Sequence, residues 1–264
     1  MRIVLLGHRD IASNIALSLF VTAMPQHRHF IMLSGSVASQ PAPREILELA
    51  ELENKLCDQL ERLPVDGSRG ILPFGRLEEC TGSRLRTLAQ PNSEQSLAAL
   101  AELQPDLIIS ARYRRILKGA AIAIPKSGVL NLHSGLLPGY RGMMATFWAM
   151  LNNEPIIGST LHYIVDDTID TGPVIGRAAM PADRSRTYLA NVLSLYPAGC
   201  RMLIEAVSRI ERGSAITAIR QTAQGRYFST PDDHDLARFQ QADLRLFDGS
   251  ELQQFLHEYG ATIP

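Results

Sequence analysis

At 264 residues the chain is long enough for one large domain or two small ones, and its 45% hydrophobic and 20% charged residues sit near the average of folded proteins. The 26 basic residues nearly balance the 27 acidic ones, for a formal net charge of -1, which excludes a general field drawing it onto nucleic acid or an anionic membrane. Cys57, Cys80 and Cys200 are odd in number and lack the C-x-x-C spacing of zinc or redox sites, so reduced core thiols of a cytoplasmic protein are expected. The opening run Met1 to Leu6 meets Gly7, His8, Arg9 and Asp10 too soon for a signal peptide, and no stretch approaches the roughly 20 apolar residues of a membrane-spanning helix.

The first half alternates strand-like and helix-like segments, the pattern of a parallel sheet with crossover helices. Arg2 to Leu6 reads as a buried strand, followed by a helix from Ile11 to Ala23 and a second strand from Phe30 to Ser34. Pro43 to Leu63 has the helical spacing of Ile46, Leu49, Leu56 and Leu60, and a short strand is expected over 85–89. Ser93 is placed to cap a helix from Glu94 to Leu103, and Pro105 separates it from a buried strand at Leu107 to Ser110. Val129 to Leu132 is a further apolar strand that runs straight into His133, Ser134 and Gly135. A helix over 145–151 then precedes two antiparallel strands, Ser159 to Val165 and Val174 to Met180, joined by an acidic turn. Beyond Pro181 a long helix from Tyr188 to Arg212 leads to two short helical patterns, with a capping box at Ser250 and Gln253 and Gly260 at a helix end.

Three stretches have the residue types chemistry needs. Asn131 and His133 alternate along a strand, so an amide and an imidazole share one face at its end, although a buried structural histidine is the plainer alternative. The loop Leu137, Pro138, Gly139, Tyr140, Arg141, Gly142 combines fixed backbone geometry with polar tips, as a ligand wall or a simple connector would. Asp166, Asp167 and Asp170 lie in a turn where Asp and Gly are favoured in any case, yet a carboxylate near His133 would orient the ring and hold it protonated. The first strand is not followed by Gly-x-Gly-x-x-Gly, which argues against a dinucleotide site.

Taken together, Asn131-Leu-His133-Ser-Gly-Leu-Leu137-Pro138-Gly-Tyr140-Arg141-Gly142 and the later Ile169-Asp170-Thr171-Gly172-Pro173 resemble the folate-dependent formyltransferase family. That family includes glycinamide ribonucleotide transformylase, methionyl-tRNA formyltransferase, sugar and hydroxyornithine formyltransferases and formyltetrahydrofolate deformylase. The resemblance implies a Rossmann-like α/β fold with an open, mostly parallel sheet. It implies a catalytic domain over 1–180, with 181–264 a helical extension completing it. It implies Asn131, His133 and Asp170 as the catalytic trio and N10-formyltetrahydrofolate as co-substrate, with no metal. A folate pocket would then draw on Tyr113, Arg114, Arg115, Ile116 and Leu117, on Leu137, Pro138 and Gly142, and on Asp166, otherwise a turn residue like Asp167.

Departures from subfamily patterns narrow the acceptor. Only about 84 residues follow Met180, several of them acidic, unlike the basic C-terminal domain of methionyl-tRNA enzymes. Ala12, Ser13, Asn14 only echoes the Gly-Ser-Asn phosphate loop of the ribonucleotide transformylases, and a sheet that begins at Arg2 leaves no room for the regulatory domain of deformylases. The expectation is a cytoplasmic transferase, monomer or homodimer, acting on the amine or hydroxylamine of a small metabolite such as an amino sugar or amino acid, without nucleic-acid or membrane partners. Ribonucleotide transformylase, formyltetrahydrofolate hydrolase and a non-catalytic folate-binding protein are the alternatives.

Overall fold

The computed structural model describes residues 1–35, 42–62, 71–222 and 225–251. The leading strand, β1 (Arg2–Gly7), is apolar on both faces, as a central strand covered by helices must be. Helix α1 (Ile11–Ala23) begins at Asp10, whose carboxylate accepts the Ser13 backbone N–H at 2.7 Å and so satisfies a free donor of the first turn. There follow β2 (Arg28–Leu33), α2 (Arg44–Leu60), α3 (Phe74–Thr81), β3 (Arg86–Thr87), α4 (Glu94–Glu102), β4 (Leu107–Ala111), α5 (Gly119–Ile122) and β5 (Val129–His133). The second half holds β6 (Tyr140–Gly142), α6 (Ala145–Leu151), β7 (Ile156–Ile164), β8 (Val174–Pro181), α7 (Tyr188–Glu211), β9 (Arg226–Phe228) and α8 (Asp233–Gln241).

The main sheet has seven strands in the order β3-β2-β1-β4-β5-β7-β8. Strands β1 to β5 run parallel, β7 is antiparallel to β5, and β8 is antiparallel to β7. Chain progression reverses between β1 and β4, which leaves a crevice beyond their carboxyl ends where ligands of open α/β sheets bind. A second sheet pairs β6 in parallel with β9.

Helix α7 packs on α1 and against β7 and β8, and its Leu193, Tyr196 and Leu203 enter the same core as Ile3, Leu5 and Leu130. Burying a side chain of that size is worth about 1.5–3 kcal/mol, so α7 is held by the sheet rather than by its own helix propensity. No helix among the described residues is long and apolar enough to cross a membrane.

Several boundaries differ from the sequence reading. The strand expected over 85–89 is only two residues long, and β7 starts at Ile156 because Ile157 and Gly158 still pair with β8. Helix α3 was not anticipated; its buried Phe74 and Leu77 are too few to give a periodic signal. Cys57 and Cys200 are buried thiols, whereas Cys80 is exposed on α3 and is not a core residue. The capping box that depends on Gln253 and the helix end at Gly260 lie outside the described residues.

Candidate active site

Asn131 and His133 project from the carboxyl end of β5, and the loop between β7 and β8 returns Asp170 onto them. That loop is pinned through its backbone. Gln221 donates to the carbonyls of Asp170 and Gly172 at 2.9 and 2.8 Å, and Arg141 Nε donates to the Ile169 carbonyl at 3.0 Å. Asp170 adopts a left-handed backbone with φ of 57°, a conformation that Asp and Asn tolerate best among residues with a side chain. At Gly172 a Cβ would lie 1.7 Å from the Tyr163 carbonyl oxygen, so the turn closes only with glycine there.

The Asp170 side chain, 9% exposed, is the hub. Its Oδ2 accepts the Gly142 N–H at 2.8 Å and lies 3.5 Å from His133 Nδ1. Its Oδ1 lies 3.4 Å from both Asn131 Nδ2 and His162 Nε2. Burial alone would raise the carboxyl pKa, but the His133 charge, the His162 contact and the Gly142 donor outweigh it and bring the group down to about 2. His133 Nε2 sits 2.8 Å from the Tyr140 carbonyl, which can only accept, so that nitrogen bears hydrogen. With Nε2–H committed there, Nδ1 is the nitrogen that faces the Asp170 carboxylate.

The loop after β5 is held from below. Thr160 donates to the Gly135 carbonyl at 2.6 Å and accepts the Leu137 N–H at 3.1 Å, and Arg177 Nε donates to the Leu137 carbonyl at 2.8 Å. Tyr140 and Arg141, which the sequence offers as polar tips of a ligand wall, are spent within the protein. The Tyr140 hydroxyl bonds Glu154 at 2.7 Å, its ring stacks on Phe228, and Arg141 is turned to the Ile169 carbonyl. Gly142 lies in the β6–β9 pairing, and Met143 N–H continues it to the Phe228 carbonyl at 2.8 Å.

The segment 112–117 leaves the end of β4 beside β5, so it flanks the Asn131 and His133 strand end. Tyr113 donates to the Leu88 carbonyl at 2.6 Å, Leu117 is buried, and the Ile116 carbonyl accepts from Asn92 at 2.8 Å while its side chain is exposed. Arg114 reaches Asp10 at 3.2 Å and Glu53 at 3.9 Å, joining Arg112, which bonds the same carboxylates at 3.0 and 2.8 Å. These guanidinium charges hold Asp10 low against its burial, whereas burial pushes Glu53 up to about 7. Asp166 is exposed and accepts the Thr168 N–H at 2.8 Å as a turn residue, and Asp167 beside it is also exposed.

The structure thus brings Asn131, His133 and Asp170 into one cluster, and places the 113–117 and 137–142 segments at the same end of the sheet. It adds His162, which the sequence reading missed because a lone histidine in the apolar strand Ile156–Ile164 looks like a core residue. The available signal was register, since His162 stands directly opposite Asn131 across the antiparallel β5–β7 pair.

An open, mostly parallel α/β sheet with a carboxylate, two imidazoles and an amide gathered around the end of β5 defines a Rossmann-like domain. Residues 76–206 match the formyl transferase family, and the chain belongs to it. A methionyl-tRNA formyltransferase from Synechococcus sp. (strain JA-3-3Ab) is 35% identical over 125 residues, 47% of this chain and 38% of that protein. A GDP-perosamine N-formyltransferase from Brucella melitensis is 28% identical over 143 residues, 54% of each chain. The chain therefore spans roughly half, or less, of the length of these relatives. The same fold is seen in an N-formyltransferase from Helicobacter canadensis in complex with folinic acid and dTDP-3-aminofucose, with a TM-score of 0.57 at 16% identity over 89% of this chain and 72% of that one.

Proposed function

We propose that this protein is an N-formyltransferase that moves the formyl group of N10-formyltetrahydrofolate to the amine or hydroxylamine of a small metabolite, such as an amino sugar or amino acid. The observation that carries this reading is Asp170, a buried, ionised carboxylate that touches His133 and Asn131 at the end of β5. An uncharged amine attacks the formyl carbon, a C–N bond forms, and the carbonyl oxygen becomes an oxyanion that needs donors. The Asn131 N–H now 3.4 Å from Asp170 is long for a hydrogen bond and is free to serve the oxyanion. His133 serves it through its Nε2–H, which the Tyr140 carbonyl holds in the free protein. Collapse breaks the bond from the formyl carbon to the folate nitrogen, which takes up a proton as the former amine loses one. Asp170 keeps His133 charged throughout.

The folate would lie between the 113–117 segment and the loop of Leu137, Pro138 and Gly142. The folinic acid and amino-sugar complex of the Helicobacter canadensis protein and the Brucella melitensis relative support donor and acceptor class. A second reading, formylation of an aminoacyl-tRNA, is favoured by the Synechococcus relative. One experiment decides among them. The protein is incubated with N10-formyltetrahydrofolate and either a panel of nucleotide-linked amino sugars and amino acids or methionyl-tRNA, and products are read by mass. A gain of one formyl group on a small amine supports the proposal, transfer to methionyl-tRNA alone replaces it with the second reading, and formate release without any acceptor makes the protein a hydrolase.

A further inference from the structure

His162 is 1% exposed and sits on β7 directly opposite Asn131. Its Nδ1 is 2.9 Å from the Tyr163 carbonyl oxygen, which can only accept, so Nδ1 carries a hydrogen. In the neutral ring Nε2 is then a lone-pair acceptor, and only the N–H side of an amide can face it. Asn131 Nδ2 does so at 3.1 Å.

We infer that His162 is a positioning residue that sets the direction of the Asn131 amide by accepting one of its two N–H groups at Nε2. The other N–H is thereby left on the Asp170 side, where it is loosely held at 3.4 Å. This rests on the proposed function in that the second N–H is the one assigned to the formyl oxyanion. Without an acceptor at Nε2 the amide turns freely. If Nε2 takes a proton it becomes a donor, the amide oxygen turns to it, and both N–H groups leave that side. The groups around the ring bear on when this happens. Asp170 lies 3.4 Å away from the β7–β8 loop, and His133 from β5 shares its carboxylate. Strand β8 pairs with His162 through Val174, a Cβ at Gly172 would lie 3.5 Å from Nδ1, and Arg141 is directed to the Ile169 carbonyl in the same loop. One carboxylate, Asp170, thus faces both imidazoles, His133 from β5 and His162 from β7.

The test compares wild type with His162→Gln and His162→Leu in the full chain. Gln offers an oxygen near the Nε2 position at every pH, while Leu offers no acceptor. With one acceptor amine and N10-formyltetrahydrofolate, His162→Leu is expected to lower kcat by about 10- to 100-fold with little change in folate KM, the range seen when an outer-shell orienting partner is removed. Gln should recover most of that loss at alkaline pH, and its kcat should fall less steeply than that of wild type as pH drops. The acceptor's own ionisation is common to both, so the difference belongs to His162. Nitrogen-15 NMR of histidine-labelled protein, with His162→Gln to assign the signal, should show the neutral ring protonated on Nδ1. Identical acid limbs in wild type and Gln, or a neutral ring protonated on Nε2, would overturn the inference. If no amine is formylated by wild type the functional reading falls, and the NMR tautomer still decides whether Nε2 accepts from Asn131.

Discussion

Replacing Asp170 by Asn separates its charge from its shape. Asn suits the left-handed φ of 57°, keeps an oxygen for the Gly142 N–H, and changes no volume. What it removes is an ionised group whose pKa lies near 2 against an ordinary 3.8, nearly two units at 1.36 kcal/mol each, so the folded protein should lose about 2 kcal/mol at neutral pH. The sign follows from the downward shift: Asp170 contributes fully above its ordinary pKa, and the contribution disappears as pH falls from 3.8 towards 2. A loss of that size lowers Tm by roughly 4–8 °C in a domain of this length, so the variant remains folded. The effect on turnover should be far larger. With the carboxylate that faces His133 and Asn131 neutralised, kcat should drop by about 10² to 10⁴, the range of a lost acid or base group. The assay is steady-state formyl transfer to an established acceptor alongside a melting curve. A folded Asp170→Asn protein with near-normal kcat would refute the assignment of Asp170 to the chemistry and leave it a turn residue.

A thermal shift with millimolar 5-formyltetrahydrofolate should raise Tm, since a ligand at 100 times its Kd stabilises by about 2.7 kcal/mol, and a flat melting curve would count against the folate pocket. Gly142→Ala places a Cβ 2.2 Å from the Phe228 carbonyl at a φ of 94°, so it should destabilise by more than the roughly 0.4–1 kcal/mol that a Gly to Ala change gains at a compatible site, and reduce turnover by displacing the N–H that holds Asp170. Acid should destabilise the protein well above the carboxylate range. His29 is buried with Nε2 unpartnered, and its pKa is lowered to about 4 by burial, His27 and the N-terminus. Its neutral form therefore stabilises fully above pH 6.5, with about 1.4 kcal/mol lost per unit as pH falls towards 4. Urea unfolding of His29→Leu should show a shallower acid slope than wild type, and equal slopes would contradict this.

The sheet was legible because its parallel strands are short apolar runs between helical periods, and Asn131 and His133 were legible because alternation alone puts them on one face. The β6–β9 sheet was not. Tyr140–Gly142 and Arg226–Phe228 are three residues each, and nothing local in either marks a partner so distant. The ion cluster of Asp10, Glu53, Arg112 and Arg114 was hidden for the same reason, since it joins the ends of β1 and β4 to the middle of α2 and shows no spacing in the chain. Segment 113–117 follows directly on β4, but the inward turn of Tyr113 and Arg114 depends on Leu88 and Asp10, which spacing does not reveal.

The N–H that steadies Asp170 belongs to Gly142, and the strand that fixes Gly142 follows Gly225, 84 residues beyond Arg141. Synthesis from the N-terminus therefore delivers every charged member of the cluster long before the chain that locks their geometry. A nascent chain released at Met180 would have β5, the Asp170 loop and both imidazoles, but neither Gln221 on the loop's carbonyls nor β9 beside β6. Closing so long a loop is entropically slow, and it happens only once the body of the sheet exists to hold both ends. A chain cut between α7 and Gln221 would keep the sheet and its covering helix while losing both Gln221 and β9, and with them the alignment of Asp170.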